Sequence, residues 1–164
     1  MSAERYFGVA LDYSPSSKYA LKWAIENVVK EGDHLVLVVV HKEVLEGGQV
    51  HLWGKTGSPL VPYESLTDPS IQKAYQLKWD EEVLHSLKEA VTVKKLTVVA
   101  KVYWGDAKEK ICDAVIEIPL DALIMGSRGF GTFKRTLLGS VSNHVLNSVP
   151  CPVTVVKLPP SLGF

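Results

Sequence analysis

Five short apolar runs alternate with segments that have the periodicity of amphipathic helices, and this alternation constrains the fold of the 164-residue chain more than any other feature. Apolar runs of about four to eight residues bounded by turn residues are typical of buried β-strands. The runs are Arg5 to Asp12, Leu35 to His41, Leu96 to Tyr103, Ala122 to Met125 and Val153 to Val156. Their order predicts repeated strand–helix–strand units.

The segments between the runs carry helix signals. Ser14 and Pro15 are the residue types of an N-cap and a first helical turn, and apolar residues recur after them at intervals of three and four. Asp106 is placed to cap a later helix, and Pro150 to stop the last one. We also expect one long amphipathic helix from about Ser70 to Val91.

This alternation predicts an α/β fold with a five-stranded parallel sheet and helices on both faces, because right-handed crossovers cover first one face and then the other. We expect a single domain over residues 1–164, and a long loop over residues 42–69 that crosses the top of the sheet. Ligands of such sheets bind beyond the carboxyl ends of the strands. The candidate positions are therefore Asp12, the loop after Val40, Gly105 and Gly126.

The charge balance argues against binding to nucleic acid or to a membrane surface. Lys plus Arg total 18 and Asp plus Glu total 18, so no net field attracts the chain to phosphate backbones or anionic lipid. The longest aliphatic run, Leu35 to Val40, is too short to span a bilayer, and the first residues lack the apolar segment of a signal peptide. We expect a cytoplasmic protein, with a nuclear location left open.

The two cysteines, Cys112 and Cys151, have neither zinc-site spacing nor the number needed for a disulfide framework. Cys112 lies beside the apolar face of a predicted helix, which favours a buried and inert thiol. Cys151 lies between two prolines, where a redox role stays open. No metal ligand set is predicted.

The segment from Ile124 to Val141 combines glycines, serines and cations directly after a predicted strand. Glycine brings backbone N–H groups close to a bound group, and a helix N-terminus attracts anions. Gly126 and Gly129 follow the strand, Gly139 and Ser140 begin a helix, and Ser142 can add a hydroxyl donor. The nearby cations are Arg128, Lys134 and Arg135. The segment therefore predicts an anion site.

A purely structural interpretation of this segment stays open. Gly126 and Gly129 would then only shape a turn, and Gly139 would only cap a helix. Two common phosphate motifs do not fit: Gly48 and Gly54 are too far apart for a Walker loop, and the dinucleotide pattern GxGxxG has Lys134 in place of its third glycine.

The spacing that does fit is Gly126-x2-Gly129-x9-Gly139-Ser140. It resembles the nucleotide-binding motif of the universal stress protein family. The resemblance extends over nearly the whole chain and is greatest to small single-domain plant members. It includes the segments VALDYS, ALKWAIEN, YWGDAKEKI, LIMGSRG, LGSVSNHVL and PCPVTVV.

The resemblance implies a Rossmann-like sheet of the adenine nucleotide alpha hydrolase type, with strand order 3-2-1-4-5. It also implies an ATP or AMP ligand, with Mg²⁺ held through the phosphates. That strand order puts the ends of strands one and four side by side. The pattern of strands independently places Asp12 and Gly126 at these ends.

The family's nucleotide contacts transfer to this chain as follows. Asp12 would bond the ribose or the adenine edge, Ala10 and Val40 would line the base pocket, and Met125 would abut the adenosine. Asp12 could instead be only a carboxylate that starts the helix near Ser14. The residues expected to wrap the ribose and phosphates are Gly126, Arg128, Gly129, Gly139, Ser140, Val141 and Ser142.

The resemblance further implies a homodimer. The family pairs its last strand across a dimer, and in this chain that strand includes Val153, Val155 and Val156 and is apolar on both faces. In the implied order it lies at the sheet edge, and an apolar edge strand is expected to be covered.

Three functions are compatible with the sequence. The first is a stress-response module whose adenine-nucleotide occupancy alters its partners or assembly. The second is a slow ATPase or a nucleotidyl-transfer enzyme, and the third a redox-responsive chaperone that uses Cys151. No catalytic residue is assigned, because His144 has neither a nucleophile nor an orienting acid beside it in the sequence.

Overall fold

The computed structural model describes residues 4–42, 53, 56–127 and 139–159. Of the helices in these ranges, none is both long and apolar enough to cross a lipid bilayer. The strands are β1 (Tyr6–Leu11), β2 (His34–His41), β3 (Val61–Pro62), β4 (Thr97–Trp104), β5 (Ala122–Gly126) and β6 (Val153–Val156). The α-helices are α1 (Pro15–Asn27), α2 (Pro69–Tyr75), α3 (Glu81–Thr92), α4 (Ala107–Glu117) and α5 (Ser140–Ser148), and Tyr63–Ser65 form a 3₁₀ helix.

The strands form one sheet in the order β3-β4-β2-β1-β5-β6. Without β3, the remaining five strands are parallel and follow the order 3-2-1-4-5 in chain numbering, which confirms the expected sheet. The strand β3 corrects the prediction, because it lies inside the segment 42–69 that was predicted as a loop. It pairs antiparallel with β4, with Val61 opposite Ala100. A strand of two residues is too short to have a detectable alternation.

The single helix predicted from Ser70 to Val91 is wrong, because the structure has two helices there. After α2, Gln76 adopts the left-handed conformation with φ 56°. The side-chain oxygen of Gln76 accepts a hydrogen bond from Trp104 Nε1 at 3.2 Å. Asp80 then caps α3 by accepting the Val83 N–H. These contacts hold a break where the sequence has neither glycine nor proline.

The helix ends fit the predicted signals elsewhere. Ser14 caps α1 by accepting the Ser17 N–H at 3.2 Å, and Pro15 is the first helical residue. Asp106 caps α4 through the Lys108 N–H at 3.0 Å. Local side-chain chemistry therefore determines where these two helices begin.

The sheet separates two hydrophobic clusters. The face-one cluster lies against α1 and α3, and all four tryptophans of the sequence belong to it or pack against it. The face-two cluster lies against α4 and α5 and is built mainly from alanine and valine. Side chains alternate between faces along a strand, so Leu37 faces the first cluster and Val38 the second.

An aromatic stack joins α2 to the carboxyl ends of β2 and β4. The Trp53 ring stacks on Tyr75 with a centroid separation of 4.9 Å and on Trp104 with a separation of 5.7 Å. The His41 ring lies 6.0 Å from Trp104, and His41 Nε2 lies 3.1 Å from the Tyr75 carbonyl oxygen. This stack covers part of the face-one side of the sheet at that end.

Candidate functional site

The carboxyl ends of β1, β2 and β5 lie next to one another in the sheet. β1 is flanked by β2 on one side and β5 on the other, so the chain winds in opposite directions from this point. Leu11 pairs with Val39, which puts Asp12 beside Val40 as the chain leaves the sheet. Val9 pairs with Ile124, so Met125 and Gly126 extend toward the same end. The fold thus brings together the strand ends that the sequence singled out.

Four of the predicted site residues meet in the face-two cluster. Ala10 and Met125 are fully buried, Val40 is 7% exposed and Val141 is 6% exposed. Three of them come from the carboxyl ends of β1, β2 and β5, and Val141 comes from the first turn of α5. They form a compact buried apolar cluster next to the start of that helix.

The N-terminus of α5 provides backbone donors beside this cluster. Gly139 is the N-cap, and its own N–H donates to the Ser127 carbonyl at 2.8 Å. The N–H groups of Ser140, Val141 and Ser142 have no acceptor within the helix, as in the first turn of any α-helix. The Ser142 hydroxyl donates to the Gly139 carbonyl at 3.1 Å, so its proton is already used inside the helix. The N-terminus therefore offers main-chain donors and the exposed Ser140 hydroxyl.

Asp12 is half-buried and participates in the turn that starts α1. Its Oδ1 accepts the Ser14 N–H at 3.0 Å, and its own N–H donates to Ser17 Oγ at 3.3 Å. The helix-starting role that the sequence left open is therefore present. The predicted contact to a nucleoside stays a prediction.

Tyr13 is a residue that the sequence analysis missed. Its backbone has φ 67°, which is uncommon for a residue with a large side chain. Its ring packs against the face-one cluster, and its hydroxyl oxygen accepts the Lys78 N–H at 3.2 Å. Burial raises the pKa of Tyr13 to about 12. Asp12 therefore contributes to the start of α1, whereas the next residue, Tyr13, packs on face one and contacts the residues after α2.

Gly126 has a packing role that its place in the motif does not reveal. A Cβ built on Gly126 would lie 2.5 Å from Ser16 Oγ and 2.8 Å from the Ser16 backbone carbon. Ser16 and Ser17 are themselves buried in the first turn of α1. The absence of a side chain at Gly126 is therefore needed for α1 to approach β5.

Several predicted site residues lie outside the described residues. These are Arg128 and Gly129, together with the cations Lys134 and Arg135. Among the residues that the structure does describe, no group of three His, Cys, Asp or Glu side chains is arranged to hold a metal ion. His144 lies on the exposed side of α5.

Both cysteines are free and partly buried. Burial raises the pKa of the Cys112 thiol, and it raises the pKa of the Cys151 thiol as well. The reactive form of cysteine is the thiolate, so a raised pKa lowers the reactivity of both side chains near neutral pH.

Comparison with known proteins identifies the family. The model of the universal stress protein family matches residues 5–157. The chain belongs to the universal stress protein family. Two Arabidopsis thaliana relatives cover 96% of the chain: universal stress protein PHOS34 is 36% identical and universal stress protein PHOS32 is 33% identical. The chain spans only 63% and 66% of the length of these two relatives.

Solved structures of other proteins share the fold. The hypothetical protein MJ0577 superposes with a TM-score of 0.61 at 22% identity, over 94% of this chain and 96% of its own. A universal stress protein family member of Arabidopsis thaliana with AMP bound gives 0.60 at 21% identity, over 96% and 94%. A universal stress protein in complex with cAMP gives 0.59 at 18% identity, over 95% and 98%. At these identities the likeness establishes the architecture alone.

Proposed function

We propose that this chain binds an adenine nucleotide, AMP or ATP, between the carboxyl ends of β1, β2 and β5 and the N-terminus of α5. Occupancy of the site would change the partners or the assembly of a stress-response protein. The solved relatives with AMP and cAMP support this choice of ligand class. With ATP, Mg²⁺ would be held through the phosphates.

The observation that carries the proposal is that an apolar cluster and a helix N-terminus lie side by side on face two. Ala10, Val40 and Met125 form a buried apolar cluster at the strand ends where a base or a nucleoside would bind, directly beside the helix N-terminus that suits phosphate. Asp12 lies at the end of β1 beside Val40, where its second carboxylate oxygen can accept a hydrogen bond from a hydroxyl group of the ligand. Arg128 and Gly129 belong to the same proposed site through the motif.

A glycine substitution at the helix start tests the phosphate contact. Gly139 has φ −63°, and a Cβ there would lie 3.1 Å from the Ser127 carbonyl oxygen, so Gly139→Val is compatible with the fold after a small shift. The added methyl groups would obstruct the approach of phosphate to the N–H groups of the first turn. We expect AMP affinity in calorimetric titration to fall at least about tenfold.

The control for that experiment is Ser148→Val, which puts the same side chain at the other end of α5. It should leave AMP affinity within about twofold of the unchanged protein. Thermal unfolding establishes that both variants are folded. Unchanged AMP affinity in folded Gly139→Val protein would remove the phosphate role from this helix.

The proposal does not include rapid ATP hydrolysis. Fast phosphoryl transfer requires a group that positions water and a metal on the phosphates. Among the described residues at the ends of β1, β2 and β5, Asp12 is the carboxylate in place, and it is engaged with the turn that starts α1. We expect turnover well below the rate of about one per second at the low end of ordinary enzymes.

We also propose that the protein forms a homodimer through β6. Among the described strands, β6 pairs with β5 alone, so its outer edge is open. Val153 and Val155 are partly exposed and pack against the face-two cluster, while Val156 is buried in the other cluster. An edge strand with apolar side chains on both faces is a common site of pairing between chains.

A lysine at the edge tests the dimer. Val155→Lys introduces a charge into the proposed interface, and we expect a monomer by light scattering at a concentration where the unchanged protein is a dimer. Ile116→Lys is the control, since it introduces the same charge at a position that is 73% exposed on α4 and not part of β6. A dimer that survives Val155→Lys, or an unchanged protein that is monomeric, would contradict the proposed interface.

A cytoplasmic or nuclear location completes the proposal. Both cysteines are free thiols, as is usual in reducing compartments. The raised pKa values of these thiols do not favour a redox-driven chaperone, so nucleotide occupancy is the signal that we propose.

A further inference from the structure

A cavity lies at the same end of the sheet as the proposed nucleotide site but on the opposite face. Its polar lining residues are Tyr13, His41, Lys42, Gln72, Lys73, Gln76 and Lys78, and we call it the lysine cavity.

The volume of the lysine cavity is about 720 Å³, which is enough for a small organic anion with its first waters. The cavity is separate from the proposed nucleotide site because the two use alternate residues of the same strand ends. Asp12 and Val40 belong to the nucleotide side, whereas Tyr13 and His41, the residues that follow them, line the lysine cavity. Tyr13 packs against the face-one cluster, and His41 lies beside Trp104 of that cluster.

The charge of the lysine cavity is uniformly positive among its described lining residues. Lys42, Lys73 and Lys78 are exposed at its surface, and no aspartate or glutamate belongs to the described lining. None of the three ammonium groups forms an ion pair with a carboxylate in the described part of the chain. Three like charges around one concave surface favour the approach of an anion.

The described acids nearest in sequence to Lys73 and Lys78 are engaged elsewhere. Asp68 caps α2, and its Oδ1 accepts from the Ser70 N–H at 2.8 Å and from the Ser70 hydroxyl at 2.7 Å. Asp80 caps α3 through the Val83 N–H and forms an ion pair with Lys18 of α1. Both carboxylates are therefore held by helix starts, and in the described part of the chain neither neutralises Lys73 or Lys78.

The neutral groups of the lining are held in place by the fold. The Tyr13 oxygen accepts the Lys78 N–H, Gln76 accepts from Trp104 Nε1, and His41 contacts the Tyr75 carbonyl. The Tyr13 O–H and the Gln76 side-chain NH₂ remain as donors. Preorganised donors beside several ammonium groups are the usual composition of a phosphate site.

We propose that the lysine cavity binds a small molecule that carries phosphate groups, at a second site independent of the nucleotide. Lys42, Lys73 and Lys78 would neutralise the phosphate, and Tyr13 and Gln76 would donate hydrogen bonds to its oxygens. This proposal does not depend on the proposed function, because none of these residues belongs to the nucleotide site.

The test uses inorganic pyrophosphate as the probe, with binding followed by calorimetry and by the NMR titration of His41. Burial and the charge of Lys78 lower the pKa of His41 in the free protein. A bound phosphate should raise the pKa of His41, because it adds negative charge near the ring. We expect saturable pyrophosphate binding accompanied by this shift.

Two double variants with the same change of charge separate a site from general attraction. Lys73→Gln with Lys78→Gln should weaken pyrophosphate binding at least about tenfold and abolish the His41 shift. Lys30→Gln with Lys88→Gln removes two exposed lysines outside the cavity and should weaken binding by less than about twofold. The substituted side chains are exposed, and circular dichroism checks that both variants are folded.

Three results would overturn the proposal. Equal weakening in the two double variants would mean general electrostatic attraction. Loss of pyrophosphate binding in Gly139→Val, with binding retained in the variant of Lys73 and Lys78, would place the anion at the nucleotide site instead. Absence of saturable binding at millimolar pyrophosphate would mean that the cavity is not an anion site. Failure of AMP binding alone would leave this proposal intact.

Discussion

The two faces of the sheet differ in what covers them. Face one has all four tryptophans in or against its cluster, and the stack of Trp53, Tyr75 and Trp104 packs at its carboxyl end. Face two is built mainly from alanine and valine, and its carboxyl end meets the first turn of α5. Large buried side chains remove more apolar surface from water than small ones do. We therefore expect face one to contribute more to stability than face two, which includes the proposed nucleotide site.

A matched pair of leucines tests this difference with the largest expected effect. Leu37 on β2 faces the first cluster and Leu123 on β5 faces the second, and both are fully buried. We expect Leu37→Ala to lower the free energy of unfolding by about 4 kcal/mol and Leu123→Ala by about 3 kcal/mol. Leu37 lies on an inner strand, whereas β5 is next to the edge strand and can relax more easily.

Urea unfolding measures both losses. Hydrogen exchange then shows where each loss occurs: α1 and α3 for Leu37→Ala, and α4 and α5 for Leu123→Ala. A larger loss for Leu123→Ala would reverse the assignment of stability to face one.

Alkaline unfolding tests whether face one is closed around Tyr13. The pKa of Tyr13 is raised from 10.0 to about 12, so the folded state favours the neutral phenol. Tyr13 therefore contributes about 3 kcal/mol to the free energy of unfolding. This contribution is complete below pH 10 and is lost as the pH rises through about 12. Tyr13→Phe should lack this part of the alkaline decline, and Tyr63→Phe on the 3₁₀ helix should retain it. An identical decline in both variants would mean that Tyr13 is accessible to water.

The two described glycines of the motif give the smallest effect and the sharpest contrast. Gly126→Ala forces a Cβ to within 2.8 Å of the Ser16 backbone, and we expect a loss of about 2 kcal/mol in the free energy of unfolding. At Gly139 the nearest atom is the Ser127 carbonyl oxygen at 3.1 Å, so Gly139→Ala should cost less than about 1 kcal/mol. Urea unfolding compares them, and equal losses would mean that the two glycines do not differ in packing.

The sequence predicts the parallel sheet well because its signals are local. The apolar runs are long enough to show their pattern, and Ser14 and Asp106 start helices through contacts within three residues. The break at Gln76 could not be predicted, since its left-handed backbone is accompanied by a hydrogen bond from Trp104, 28 residues away. A tertiary contact of this kind leaves no periodic signature.

In the candidate site, too, some features could be predicted from the sequence and others could not. The positions of Asp12, Val40 and Met125 follow from strand ends, which the sequence predicts. The packing role of Gly126 depends on how closely α1 approaches β5, and the turn of Tyr13 toward face one depends on α2 and the residues after it. Neither distance is encoded in the spacing of residues along the chain.

The aromatic stack gives the protein an optical property of its own. The rings of Trp53 and Trp104 are nearly parallel, with an angle of 16° between their planes and centroids 5.7 Å apart. Two indoles at that distance share their electronic excitation, so the pair absorbs circularly polarised light differently from two isolated tryptophans. Because Tyr75 of α2 stacks on the same pair, detachment of α2 changes that signal. The attachment of this helix can therefore be followed by near-ultraviolet circular dichroism, with no added dye.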